Sequence, residues 1–344
     1  MSILGVPIST IWTQFFPPQG PLGEANLPRQ ADRVFVVTGG TTGLGFVLAR
    51  ILYGAGGKVY MLTRSQERAE AAIAKIKASC EGSGNQVGSL EFIYMDLADF
   101  ATVKSCAEEV LRREGSNGRL DVLFNNAGTG GRQNAPPGRQ GYEYHLTTNS
   151  LGSYLLTRLL MPLLAKTAQT SPRGSVRVVW AASVLVELNA PQTGFRTEWL
   201  ENPACAKDYH YVELYSASKT ANWFLASEFA RRFQAESGVL HIAGNPGSYN
   251  TNMWQYSPWY IYILSWPVLR GTEHGADTYL WMGFSDSVTL EDAVGGRYAT
   301  CDGRWHPGQR DDLMLALRNT EEGGSGRAAE VYDWCARATG DFLG

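Results

Sequence analysis

The chain has 344 residues, 44% of them hydrophobic and 18% charged, a composition that suits a well-packed globular chain of one large domain or two ordinary ones. A net charge of −3 without a basic block leaves no electrostatic footprint for nucleic acid, so that class is excluded. Five scattered cysteines with no C-x-x-C pair, and five scattered histidines, argue for free thiols in a reducing, cytoplasmic setting and for no metal site.

Residues 1–31 read as an N-terminal extension. They are apolar and aromatic but lack a basic leader and are broken by Pro7, Pro17 and Pro18, which argues against a cleaved signal. From Arg33 onward the chain alternates short β-branched runs with longer helical patterns. Strands are expected at 33–38, 58–63, 90–95, 120–124, 175–181, 239–244 and 296–300. The first six are apolar on both faces, as strands of a parallel sheet covered on both sides must be. Helices are expected near 43–54, 65–79, 99–114, 142–166, 211–235 and 271–283. The fold class is therefore α/β, a Rossmann-type doubly wound sheet of about seven strands over residues 32–300, followed by a helical extension at 301–344.

The first strand runs into TGGTTGLG, residues Thr38 to Gly45, with Gly39, Gly43 and Gly45 ahead of a helix. A strand, a glycine turn and a helix N-terminus in that order make an anion site, because free amides and the helix dipole both favour a pyrophosphate. The second strand ends in LTRS. An NAD enzyme needs a carboxylate there, and Thr63 and Arg64 offer none. A guanidinium suits a 2′-phosphate, so NADP(H) is expected over NAD(H). Asp96, after the third strand, can accept from an adenine amino group; a helix N-cap is its alternative use. After the fourth strand comes NNAG, in which Asn126, Ala127 and Gly128 let backbone lie close to a flat ligand.

Tyr215 and Lys219 stand four apart in YSASK, one turn apart on one helix face. The spacing alone is weak, since a chain with 16 tyrosines produces it by chance. An ammonium about 4 Å from a phenol, at an effective dielectric near 20, is worth roughly 4 kcal/mol, enough to bring a tyrosine close to neutrality.

Taken in order, TGGTTGLG, MDL, NNAG, a serine after the fifth strand and YSASK resemble the short-chain dehydrogenase/reductase family over roughly residues 32–300. The long segment between Ser183 and Tyr215 and the tail stretch EEGGSGRA most resemble the fungal retinol-dehydrogenase-like members. The resemblance implies Tyr215 as proton donor, Lys219 as its partner and a ribose ligand, Ser183 on the substrate oxygen and Asn149 in a water-mediated relay. It also implies cofactor contacts from Leu44 in the glycine turn and from Gly247, Tyr249 and Thr251 in NPGSYNT. On the residues alone, Ser183 is one strand-end serine among many, and Asn149 is a polar residue in a helix.

Two segments break the alternation at the carboxyl edge of the sheet. Residues 184–210 are expected to loop out as a wall of the substrate pocket. Residues 247–270 hold MWQYSPWYIYILSWPVL, whose aromatic density implies a large hydrophobic carbonyl or alcohol substrate of secondary-metabolite or retinoid type, and equally fits a core or homodimer contact. That run is too short and too proline-broken to span a membrane, although it and the N-terminal segment could touch one. A non-redox member of the fold, or a cofactor-sensing binding protein, is the rival reading.

Overall fold

The computed structural model describes every residue except 1, 4, 5, 82–85, 252–258, 260–262, 264, 265 and 344. A two-stranded hairpin, β1 (Ser2–Ile3) and β2 (Val6–Pro7), leads into α1 (Ile8–Phe15). The main sheet holds β3 (Val34–Thr38), β4 (Lys58–Thr63), β5 (Ser89–Tyr94), β6 (Val122–Asn125), β7 (Arg177–Ala181), β8 (Leu240–Gly244), β9 (Tyr298–Thr300) and β10 (Arg304–Trp305). Their spatial order is β10-β9-β8-β7-β6-β3-β4-β5. All pairings are parallel except that of β10 with β9. An eighth strand is thus added to the expected seven; β10 has two residues, too few to leave a periodic signal, and it carries the sheet past position 300.

Strands β3, β6, β7 and β8 are buried at every position, which explains their apolar character on both faces. Successive side chains serve opposite cores. Val36, Tyr60 and Leu123 pack with Phe224 and Phe229 on one face, and Phe35, Val37 and Val59 pack with Leu48 and Tyr279 on the other. The chain moves outward from β3 to β4 and β5, then returns to place β6 on the other side of β3. That reversal opens a crevice above the carboxyl ends of β3 and β6, where ligands of doubly wound sheets bind.

The helices beside this sheet are α2 (Gly43–Gly54), α3 (Gln66–Cys80), α4 (Phe100–Glu114), α5 (Tyr144–Leu146) and α6 (Gly152–Gln169). A π turn at Thr147–Leu151 joins the last two. The 184–210 segment, expected as an irregular loop, forms α7 (Leu185–Asn189), α8 (Thr197–Glu201) and a 3-10 turn at Pro203–Asp208. Next comes the 27-residue α9 (Tyr211–Ser237), closed by Gly238 at φ 68°.

The tail is not loosely attached. Its helix Arg327–Thr339 buries Val331, Tyr332, Trp334 and Cys335. The Tyr332 ring lies 5.2 Å from Tyr154 on α6 and 5.4 Å from Phe229 on α9. Arg158 ties the two phenols together, donating to Tyr154 Oη at 3.1 Å and Tyr332 Oη at 3.0 Å. Each such buried aromatic contributes about 1.5–3 kcal/mol, so this helix belongs to the core that holds α9 in place. Among the described residues no helix is long and apolar enough to cross a membrane.

Candidate active site

At the cofactor end the turn after β3 is built almost wholly from backbone. Gly43 opens α2 at φ 57°, a conformation that costs a side-chain-bearing residue strain. Thr42 precedes it in extended backbone without capping α2 through its side chain, so the first-turn amides stay available to an anion. Gly45 is required by proximity: a Cβ there would lie 2.4 Å from Gly39 O and 2.5 Å from Asn126 Nδ2.

Three of the expected cofactor residues fasten this turn to the loop after β6. Thr38 Oγ1 donates to Phe124 O (3.2 Å) and accepts from the Ala127 amide (2.8 Å), while Asn126 Nδ2 donates to Thr38 O (2.8 Å). Thr38 is fully buried, so its hydroxyl holds the frame and does not reach a ligand. Leu44 packs its side chain against Gly275. Thr251 brings its methyl to 3.2 Å from where a Cβ on Gly43 would stand, which lays the 245–251 segment over the glycine turn. Gly247 sits beneath the Tyr249 ring, and the Tyr249 phenol turns inward to donate to His274 O at 3.1 Å. Any ligand contact from Tyr249 is therefore left to its backbone.

Arg64 is exposed just beyond β4 and forms no hydrogen bond or ion pair among the described residues. The neighbouring Ser65 caps α3 by accepting from the Arg68 amide. Asp96 accepts from the Ala98 amide at 3.0 Å, and the cap of α4 is Asp99, which accepts from Ala101 at 3.1 Å. The capping role weighed for Asp96 is thus filled by a neighbour.

The chemistry end is made of buried side chains. Tyr215 and Lys219 lie in α9 at 7% and 4% exposure. Lys219 Nζ donates to Ala181 O, at the end of β7, at 3.1 Å, and Asn222 Nδ2 donates to the same oxygen at 2.9 Å. Gly128 leaves room for this ammonium: a Cβ there would sit 2.9 Å from Lys219 Nζ and 3.3 Å from Asn149 Oδ1. Asn149, wholly buried in the π turn, accepts from the Thr129 amide at 2.8 Å and donates to Thr129 O at 3.0 Å and Ser218 Oγ at 2.9 Å. Ser218 Oγ in turn donates to Tyr215 O at 2.7 Å. A π turn inside a helix recurs at functional sites, and here it points the Asn149 amide at the Ser218 hydroxyl of α9.

Ser183 hydrogen-bonds the Tyr215 phenol, and its Oγ also accepts from the Leu185 amide at 3.2 Å. Its backbone is gripped from behind by Tyr298 on β9. The Ser183 amide donates to Tyr298 Oη at 3.2 Å, and Tyr298 Oη donates to Ser183 O at 3.0 Å. Sequence reasoning missed Tyr298, since a tyrosine in a three-residue strand more than a hundred positions away carries no local signal.

The electrostatics correct one expectation. Lys219 Nζ lies 5.9 Å from the centroid of the Tyr215 ring and donates to Ala181 O. Burial raises the Tyr215 pKa above its ordinary 10.0, with the Ser183 hydrogen bond acting against the rise. Burial also brings Lys219 down from 10.5 to about 8. The near-neutral phenol expected from charge proximity is not what burial favours: desolvation moves the Tyr215 pKa upward.

Segment 184–210 is pinned from both sides. Phe195 and Trp199 are buried in edge contact at 5.4 Å, and Arg310 from the tail donates to Ala190 O at 2.9 Å. The aromatic run 253–269, whose density implies a hydrophobic substrate or a core or dimer contact, lies mostly outside the described residues; within it Trp259, Ile263 and Trp266 are exposed.

Known proteins share this plan. The model of the short chain dehydrogenase family matches residues 33–192. A short-chain dehydrogenase/reductase of Phomopsis amygdali is 38% identical over 329 residues, covering 95% of each chain. Another, of Neocamarosporium betae, is 33% identical over 344 residues, covering 98% of this chain and 95% of its own. A solved structure of a Mycobacterium paratuberculosis protein superposes with a TM-score of 0.66 at 26% identity, covering 94% of this chain and 98% of that one. RhlG of Pseudomonas aeruginosa, solved with NADP, shares the fold with a TM-score of 0.58 at 23% identity, covering 80% and 97%.

Proposed function

Because the chain belongs to the short-chain dehydrogenase/reductase family, whose members are oxidoreductases of alcohol and carbonyl groups, we propose that it interconverts a hydrophobic ketone or aldehyde and its alcohol with NADP(H). The observation that carries this reading is the convergence of the Tyr215 phenol, the Ser183 hydroxyl and the Lys219 ammonium around one point above β7. The uncapped amides of α2 lie across the same carboxyl edge. Those amides and the glycine turn fit a dinucleotide pyrophosphate. Bound there, the nicotinamide supplies a hydride to the carbonyl carbon or takes one from the alcohol.

The residues divide the remaining work. In reduction Tyr215 gives its proton to the oxygen that becomes the alcohol. Its raised pKa keeps that proton in place at neutral pH until the substrate oxygen gains charge. Ser183 donates a hydrogen bond to the same oxygen as charge develops on it. Lys219, beside Gly128 and the Ala181 carbonyl, offers its ammonium to the nicotinamide ribose and favours the phenolate left on Tyr215. Asn149, held by Thr129 and Ser218, anchors the relay that returns a proton to the site.

Backbone at Gly39, Gly128, Gly247 and Thr251 borders the cofactor channel, with Asp96 at its adenine end. Arg64 supports a 2′-phosphate, being exposed at the end of β4 where a carboxylate would select NAD. The exposed Trp259, Ile263 and Trp266, following the 245–251 segment, support a hydrophobic substrate.

The test mixes the purified protein with NADPH or NADH and a panel of hydrophobic ketones and aldehydes, following absorbance of the reduced nicotinamide. Turnover preferring NADPH is expected, and Arg64→Asp should erase that preference by about tenfold or more. No turnover with any carbonyl would sink the reductase reading. An unchanged preference in Arg64→Asp would remove Arg64 from cofactor selection.

A further inference from the structure

The N-terminal helix α1 buries its polar side. Thr10 and Gln14 face the protein at 6% and 2% exposure, while Trp12 and Phe16 face outward at 61% and 46%. A helix packed by the hydrophobic effect alone would turn the other way, so the inward amide calls for a partner, and Gln14 has two. Its Nε2 donates to Glu187 Oε1 at 2.6 Å, and its Oε1 accepts from Asn245 Nδ2 at 2.8 Å. Glu187 is wholly buried in α7, four residues after Ser183. Asn245 follows β8, and its Oδ1 accepts from the Gly247 amide at 3.0 Å, which fixes the turn over the cofactor channel.

Residues from the carboxyl-terminal part of the chain fasten α1 and Glu187 in place. Cys301 Sγ donates to Gln14 O at 3.1 Å, and Arg304 Nη2 donates to Thr13 O at 2.7 Å. His306 Nε2 lies 2.9 Å from Glu187 Oε1, with its other ring nitrogen accepting from the Gly308 amide at 3.2 Å. That second bond places the proton on Nε2.

We propose that Gln14 is a positioning residue of the active site. Its single amide ties the helix that follows Ser183 to the asparagine that holds the Gly247 turn, keeping the substrate side and the cofactor side in one relative placement. The proposal rests on the oxidoreductase reading above. It makes the N-terminal segment, which lies outside the sheet and outside the matched family region, a working part of the site. Without the amide, a buried carboxylate and a buried asparagine N–H each lose a partner, and the segments they belong to are free to settle independently.

Four proteins test it: the full chain, Gln14→Met, Gln14→Glu, and Gln14→Glu combined with Glu187→Gln. Each is measured for reduced-nicotinamide affinity by fluorescence without substrate, for kcat and KM with an active carbonyl, and for fold by circular dichroism. Gln14→Met keeps the side-chain volume and should lower kcat/KM about tenfold and weaken cofactor binding about threefold in folded protein. Gln14→Glu sets two carboxylates against each other and should lose about a hundredfold. The double variant restores one carboxylate and one amide at the contact, with Asn245 still able to donate, and should return to within about threefold of the full chain.

A Gln14→Met protein that matches the full chain in kcat/KM and cofactor affinity would overturn the proposal, even if it melts at a lower temperature. So would a double variant no better than Gln14→Glu alone. If the full chain binds cofactor but turns over no carbonyl, the reductase reading fails. The cofactor-affinity arm then still decides whether Gln14 positions the Gly247 turn.

Discussion

The two ends of the candidate site are built from different materials. The cofactor end is backbone: a glycine turn, uncapped amides at the start of α2 and the crossing 245–251 segment, with Thr38 and Asn126 used to bind these parts to one another. The chemistry end is side chains drawn from α9, the π turn, the end of β7 and, behind them, β9. A site made of backbone is damaged by adding atoms, and a site made of side chains by removing them. Variants of opposite kind should therefore separate the two ends, one moving cofactor affinity and the other moving turnover.

The largest effect on cofactor affinity is expected at the backbone end. Gly45→Ala places a carbon 2.4 Å from Gly39 O, so the turn must shift. Overpacking of that kind costs about 1–3 kcal/mol, and NADPH affinity measured by fluorescence should fall about a hundredfold. Unchanged affinity would show that the turn is not the pyrophosphate site.

Lys219 gives a contrast in stability. Its folded pKa of about 8 lies below the ordinary 10.5, so between these values the unfolded chain binds more protons and stability rises with pH. Below about pH 8 both states carry the charge and the folded protein bears the full cost of burying it, on the order of 3 kcal/mol. Tyr215, shifted upward, matters only above its ordinary 10.0 and acts in the opposite sense. Lys219→Met should thus raise the Tm of the ligand-free protein at pH 7, flatten its rise between pH 8 and 10, and abolish turnover. Asn222 continues to satisfy Ala181 O in that variant. A lower Tm at pH 7 would contradict this account.

A smaller effect is expected behind the site. Tyr298→Phe keeps the ring against Trp223, at 5.1 Å, but removes both hydrogen bonds to the Ser183 backbone. It should lower kcat about tenfold with little change in KM. If Tyr298 acts through Ser183, the same change made in Ser183→Ala should cost almost nothing more. Additive losses would mean that Tyr298 supports the fold and not the serine.

This division also explains what was legible in the sequence. Buried parallel strands must be apolar on both faces, so six strands could be read from residue type, and the glycine turn announces itself because few other residues fit it. The Tyr215 and Lys219 spacing is local and was equally readable. Tyr298 and Gln14 were not, because each acts across more than a hundred positions and neither element shows its use. Gln14 sits in a charge-free stretch that looks like an apolar appendage, and only the fold reveals that its polar face turns inward. The Tyr215 pKa was misjudged for a related reason: the neighbouring charge is visible in sequence, while burial is a property of the fold.

The most direct measurement of the central claim compares the wild-type protein with Tyr215→Phe in NADPH binding and in turnover of one active hydrophobic ketone. Removing a phenol that donates the proton should lower kcat by about a hundredfold or more while NADPH affinity stays within about twofold. Turnover by Tyr215→Phe within a few-fold of the wild type would contradict the account.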